Sequence, residues 1–145
     1  MVVGDGPSRA QLEQRLPGAA FLGMLRGTAL AAAYATLDVF VHTGPFETFG
    51  QTVQEAMASE LPVVAPDAGG PLDLVQHGRT GYLVPPDAPG ALRSAVVRLR
   101  DDPVLRRSFG RAGRRAVRGR DWTAVCDELL GHYRAVVDDR VRTVA

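Results

Sequence analysis

The chain of 145 residues contains no lysine and only one cysteine, Cys126. A single thiol cannot close an internal disulfide, and no second cysteine is present to share a zinc ion, so an ordinary thiol is expected. No apolar stretch approaches the roughly 20 residues that cross a bilayer; the longest small-apolar run is "TALAAAYATL". The opening "MVVGDGPSRA" lacks the basic-then-apolar order of a secretion signal. These absences predict a cytoplasmic protein with no membrane-spanning segment, any contact with the inner face of the membrane being peripheral. A net charge of +1 argues against nucleic acid as a partner. All 17 basic residues are arginines, and they crowd in "RSAVVRLRDDPVLRRSFGRAGRRAVRGR". With Phe109 the one aromatic residue in that stretch and no interleaved series of rings to stack on bases, they read as the solvated faces of two helices rather than as a phosphate or membrane patch.

What is present is sufficient for one ordinary domain over residues 1–145, since 46% hydrophobic content builds a core without staples. Five short runs, "MVVG", "AAFLG", "LDVFVH", "LPVVAP" and "TGYLVPP", have unbroken apolar centres rather than alternating polarity. That pattern predicts strands buried on both faces of a parallel sheet. Between them lie segments of helical period: "SRAQLEQRL", "TALAAAYATL" and "GQTVQEAMAS", the last with Val53, Ala56 and Met57 on one face. Three further helices are expected at about 87–101, 103–118 and 122–138, the second opened by Pro103 behind Asp101 and Asp102. The fold class is therefore α/β, a Rossmann-like doubly wound parallel sheet with extra C-terminal helices.

The stretch "FETFGQTVQEAMASELPVVAPDAGG" carries two carboxylates, Glu47 and Glu55, at the mouth of a helix that leads into a buried strand. Ligands of doubly wound sheets bind beyond the carboxyl ends of the strands, where helix N-termini favour anions. Gly50, lacking a Cβ, lets an anion approach the backbone. Against this stands capping: Thr48 with Gln51, and Thr52 with Glu55, have capping-box spacing, and either glutamate alone is explained by helix electrostatics. Gln51, Glu55 and Ser59 share a face opposite Val53 and Met57, so Glu55 is kept off the core. A carboxylate beside bound phosphate is repelled unless it accepts from hydroxyls, and a nucleotide sugar offers both groups.

The same stretch resembles the signature of the family 4 retaining glycosyltransferases of GT-B fold, in the spacing of Glu47 and Glu55, the Phe-Gly after the first, "EAMA", "PVVA" and the turn at Gly69 and Gly70. "VVGDGP", "FLG", "HGRTGYLVPP" and a terminal stretch from Trp122 to Tyr133 follow the order of that family's C-terminal domain. The resemblance implies that the sheet is one half of a GT-B fold, and it implies roles. Glu47 would be the catalytic residue meeting the donor sugar hydroxyls, and Glu55 would accept from the ribose. The backbone of Phe49, Gly50 and Gln51 would face the sugar and diphosphate, while Gly4, Gly6, Leu22 and Gly23 would line the nucleotide. The partners implied are a nucleotide-sugar donor and a glycan or glycolipid acceptor, with no cofactor and no metal. "HTGPFETFGQTVQEA" is most similar to actinobacterial mannosyltransferases that use GDP-mannose. In the family an arginine and a lysine upstream of the "VGDGP" strand grip the diphosphate, and an N-terminal domain supplies the acceptor site; both are expected to lie outside this chain. Glu60 stands where the family often has glycine, which predicts a strained left-handed helix end.

Other sites read blandly. "GDGPSR" has Arg9 in place of the third glycine of a dinucleotide fingerprint. His42, His77 and His132 lack metal-ligand spacing and are expected at the surface or core edge. Ser59 and Ser94 sit in helical stretches without a nucleophile elbow. Asp67 and Asp73 read as turn and cap residues, and Trp122 as an anchor of the last helix against the core. The competing function is a non-catalytic Rossmann-like module that binds a nucleotide or a partner and turns nothing over.

Overall fold

The computed structural model describes residues 1–144. The chain divides into two compact units, Met1–Asp38 and the remainder from Val39 onward. In the first unit, "MVVG" and "AAFLG" do not become full strands: they meet in one parallel bridge, Val2 to Phe21. Three backbone bonds hold it, from Val2 N to Ala20 O, from Leu22 N to Val2 O and from Gly4 N to Gly23 O. Glycine turns on either side keep each run too short for a ladder. Helices α1 (Arg9–Arg15) and α2 (Gly27–Ala35) complete this unit.

The second unit holds the sheet, with β1 (Phe40–Val41), β2 (Val63–Pro66) and β3 (Gly81–Val84) parallel and in that order. Phe40 and Val41 pair with Val63 and Val64, and β2 continues onto β3 from Val63 opposite Gly81 to Pro66 opposite Val84. All four residues of β2 are buried, as the unbroken apolar run requires. Between the strands run α3 (Gln51–Ala58) and a single turn, α4 (Pro71–Leu74), which the sequence pattern did not suggest because four residues carry no period. After β3 come α5 (Pro89–Asp101), α6 (Pro103–Val117) and α7 (Trp122–Val144), with starts close to those predicted. Asp102 caps α6 as expected, its Oδ1 accepting from the N–H of Val104 at 3.0 Å and of Leu105 at 2.8 Å.

Val53, Ala56 and Met57 on α3 are fully buried, as are Val63, Val64 and Ala65 of the neighbouring β2. Val64 joins Tyr82, Val84, Leu99 and Phe109 in one buried cluster. A side chain at Gly110 would strike the carbonyl oxygen of Glu60, so α6 lies directly on the end of α3. Glu60 itself has φ 60, the left-handed helix end expected of that position. Its carboxylate accepts from Arg114 of α6 at 2.9 Å. Arg107, Arg111, Arg115 and Arg118 are exposed, in keeping with a solvated face.

Candidate functional site

The loop from β1 to α3 leaves the carboxyl edge of the parallel sheet, the edge where such sheets bind ligands. Its centre is Glu47, whose Oε1 accepts from Gly50 N at 3.0 Å and Phe49 N at 3.2 Å. The N–H of Gly50, then that of Phe49, hold this carboxyl below the usual carboxylate range; His42 and the N–H of Thr48 act the same way, against partial desolvation. Glu47 is thus a fixed anion at a helix entrance.

The expected capping box between Thr48 and Gln51 does not form. Gly50, in the left-handed region at φ 74, is the residue before α3, which puts Thr48 two residues too early to cap it. Glu47 takes the loop's N–H groups instead. Gly50 is also buried, and its positive φ favours glycine; a Cβ there would in addition sit 2.6 Å from Leu74 Cδ1, which would have to shift.

Behind the loop stands the Gly69–Gly70 turn. Gly70 N donates to Glu47 O at 2.7 Å, and a Cβ on Gly69 would collide with that same carbonyl. On α3, Gln51 Nε2 donates to Glu55 Oε1 at 3.3 Å, and both side chains are half-buried on the face away from Val53 and Met57. Glu47, Phe49, Gly50, Gln51 and Glu55 are therefore brought into one short segment, as their spacing suggested.

In the first unit, Gly4 and Gly23 are joined by their 2.7 Å backbone bond, with Leu22 tied to Val2. Gly4 and Gly6 line a depression of about 340 Å³ with Ser8, Arg9, Leu12 and Phe21. Arg9 is held there by Glu13 at 2.8 Å and Asp5 at 3.5 Å. A Cβ on Gly23 would come within 3.1 Å of its guanidinium.

Two features of the site are not marked in the sequence. Nε2 of His42 is buried without a hydrogen-bond partner, at the edge of a second depression of about 340 Å³ shared with Thr43, Pro45, Pro66, Val84 and Asp87. Histidine at the last residue of an apolar run is the only signal of it. Trp122 is not a core anchor: it is 66% exposed and stacks on Phe49, ring centroids 6.0 Å apart and planes 7° apart. Among the described residues no cluster of three or more His, Cys, Asp or Glu side chains could hold a metal ion. No helix there is long and apolar enough to cross a membrane.

Comparison with known proteins bears on family and fold. Residues 1–102 match the family described as "Glycosyl transferases group 1". The chain is 57% identical over 141 residues to a GDP-mannose-dependent alpha-mannosyltransferase of Mycolicibacterium smegmatis, covering 97% of this chain and 37% of that protein. It thus spans little more than a third of that relative's length. Among solved structures, sucrose-phosphate synthase from Thermosynechococcus elongatus superposes with a TM-score of 0.83 at 30% identity, over 94% of this chain and 38% of that one. Anabaena Alr3699/HepE in complex with UDP-glucose gives 0.81 at 25% identity, over 92% and 40%.

Proposed function

The chain belongs to the glycosyl transferases group 1 family, and we propose that it is the donor-binding part of a cytoplasmic hexosyltransferase that moves mannose from GDP-mannose to a glycan or glycolipid hydroxyl with retention. The observation that carries this reading is the ionised Glu47, fixed by two backbone N–H groups at the carboxyl edge of the sheet and one turn ahead of α3. The M. smegmatis relative's name supports GDP-mannose, and the UDP-glucose complex of the Anabaena protein supports a nucleotide sugar as the ligand class.

In the proposed reaction the bond between the sugar's anomeric carbon and the diphosphate breaks while one to the acceptor oxygen forms. The acceptor's proton leaves with the diphosphate. Glu47 accepts from donor sugar hydroxyls and orients the ring, whose positive character grows in the transition state beside this carboxylate. The N-terminus of α3, at Gly50 and Gln51, faces the diphosphate as negative charge develops on it. Glu55, half-buried on the polar face of α3, accepts from the ribose hydroxyls. Gly4, Gly6, Leu22 and Gly23 line the nucleotide. The acceptor is held by parts of the protein beyond this chain.

Calorimetric titration of the chain with GDP, UDP, GDP-mannose and UDP-glucose tests the reading. Saturable binding of GDP-mannose is expected. Glu55→Ala should weaken GDP and GDP-mannose alike, whereas Glu47→Ala should weaken only the sugar nucleotide. Unchanged affinity in both variants would leave the carboxylates as helix-end electrostatics alone.

A further inference from the structure

The loop that carries Glu47 is fastened at its far end by a residue from the last helix. Phe49 lies between Glu47 and Gly50, and its N–H is the longer of the two bonds to the carboxylate, 3.2 Å against 3.0 Å. Phe49 is 47% exposed, so the core does not set its position. What it meets is Trp122, parallel to within 7° at the first residue of α7. The backbone on which Trp122 sits is in turn fixed by two bonds. Asp121 Oδ1 accepts from Ala124 N at 2.8 Å and closes the start of α7, and Gln54 Nε2 of α3 donates to Arg120 O at 3.0 Å. Two large rings left this exposed gain little from burial; their parallel contact is what fixes the orientation of the Phe49 side chain.

We propose that Trp122 is a positioning residue for Glu47, acting through the ring of Phe49, so that the start of α7 sets the geometry in which the carboxylate meets a donor sugar. The inference rests on the reading of Glu47 as a sugar contact for its functional arm only; the mechanical coupling stands on the ligand-free geometry. Without the indole, the Phe49 ring is free to turn, the longer N–H bond goes first, and the carboxylate loses the second largest of the groups that hold it ionised.

The two arms separate the inference from the reading beneath it. In the first, the Glu47 carboxyl is titrated by NMR in the wild type, Trp122→Leu and Trp122→Phe. The wild type should titrate below the ordinary glutamate range, Trp122→Leu should move back towards that range, and Trp122→Phe should restore most of the depression. A folded Trp122→Leu that titrates like the wild type overturns the coupling. Because Trp122 is the only tryptophan, its emission should also follow the Glu47 protonation step in the unmodified chain and lose that step in Glu47→Gln; emission that ignores the step overturns the coupling as well. In the second arm, the affinity gain of GDP-mannose over GDP should fall roughly three- to tenfold in Trp122→Leu, the span of an aromatic pair's coupling. If Glu47→Gln abolishes that gain and Trp122→Leu leaves it intact, the positioning role fails while the sugar contact survives. If Glu47→Gln leaves the gain intact, the sugar contact itself fails.

Discussion

Gly70→Ala probes the support of the Glu47 loop from a residue that is itself assigned to no ligand. Gly70 has φ −53, an ordinary helical value, so alanine meets no backbone penalty there. The added Cβ would lie 2.9 Å from Gly50 N, 2.9 Å from Thr48 O and 3.0 Å from Phe49 C. All three are backbone atoms, so no flexible side chain can swing aside. Contacts between heavy atoms relax near 3.5 Å, and the loop must therefore retreat by about half an ångström. Overpacking of this kind costs about 1–3 kcal/mol of stability. A displacement of about 1 Å can cost a hundredfold in function, so half of that predicts about a tenfold loss of GDP-mannose affinity. Gly78→Ala is the control: its φ of +75 costs about 1–2 kcal/mol in any L-residue, yet nothing lies within 4 Å of the added Cβ. Both variants should melt earlier in thermal denaturation, and only Gly70→Ala should lose affinity by calorimetry. A folded Gly70→Ala with wild-type affinity, or equal losses in the two variants, would refute the argument that this turn holds the site.

Three other outcomes are expected. Glu60→Gly should stabilise the fold, because relief of a left-handed φ is worth roughly 1–2 kcal/mol while the exposed pair with Arg114 contributes less than about 1 kcal/mol; a midpoint in urea at or below the wild type's would contradict this. Glu47 stays ionised in the fold to lower pH than in the unfolded chain, so its contribution is complete above roughly 4.3, the ordinary glutamate value, and is lost as pH falls through the lower folded value. Glu47→Gln should accordingly flatten that part of the acid limb in a pH series of melts, and an unchanged limb would show that the loop bonds carry no stability. Gly110→Ala should be severely destabilising, since its Cβ would drive α6 off the Glu60 carbonyl, and circular dichroism showing a normal melt would be evidence against that close packing.

The strands of the sheet are legible in the sequence because burial on both faces leaves a strong mark: "LPVVAP" and "TGYLVPP" have unbroken apolar centres and become β2 and β3. Helix starts are legible where the cap is local, as at Asp102 with Pro103. The two N-terminal runs mislead for the same reason. An apolar run reports burial and not the number of ladder bonds, and glycines around Val2 and Phe21 limit those to a single bridge. Thr48 misleads because capping spacing says nothing about where a helix begins, and the left-handed Gly50 moves that point to Gln51.

The site divides along the same physical line. Glu47, Gly50 and Glu55 lie within nine residues of one another, so their short-range spacing alone is enough to group them. The supports of that segment come from elsewhere in the chain: Gly70 bonds the Glu47 carbonyl across a β-α turn, and Trp122 reaches Phe49 from α7. No periodicity links such positions. Trp122 is expected to anchor the last helix against the core because a large aromatic side chain usually buries its area, and Leu129, Leu130, Tyr133, Val136 and Val137 give α7 an apolar side. All five are exposed in this chain. A stripe of that kind states only that the helix has an apolar side. The parallel contact between Phe49 and Trp122 joins α7 to the loop, and it makes the Glu47 segment answerable to a helix that spacing alone would treat as scaffold.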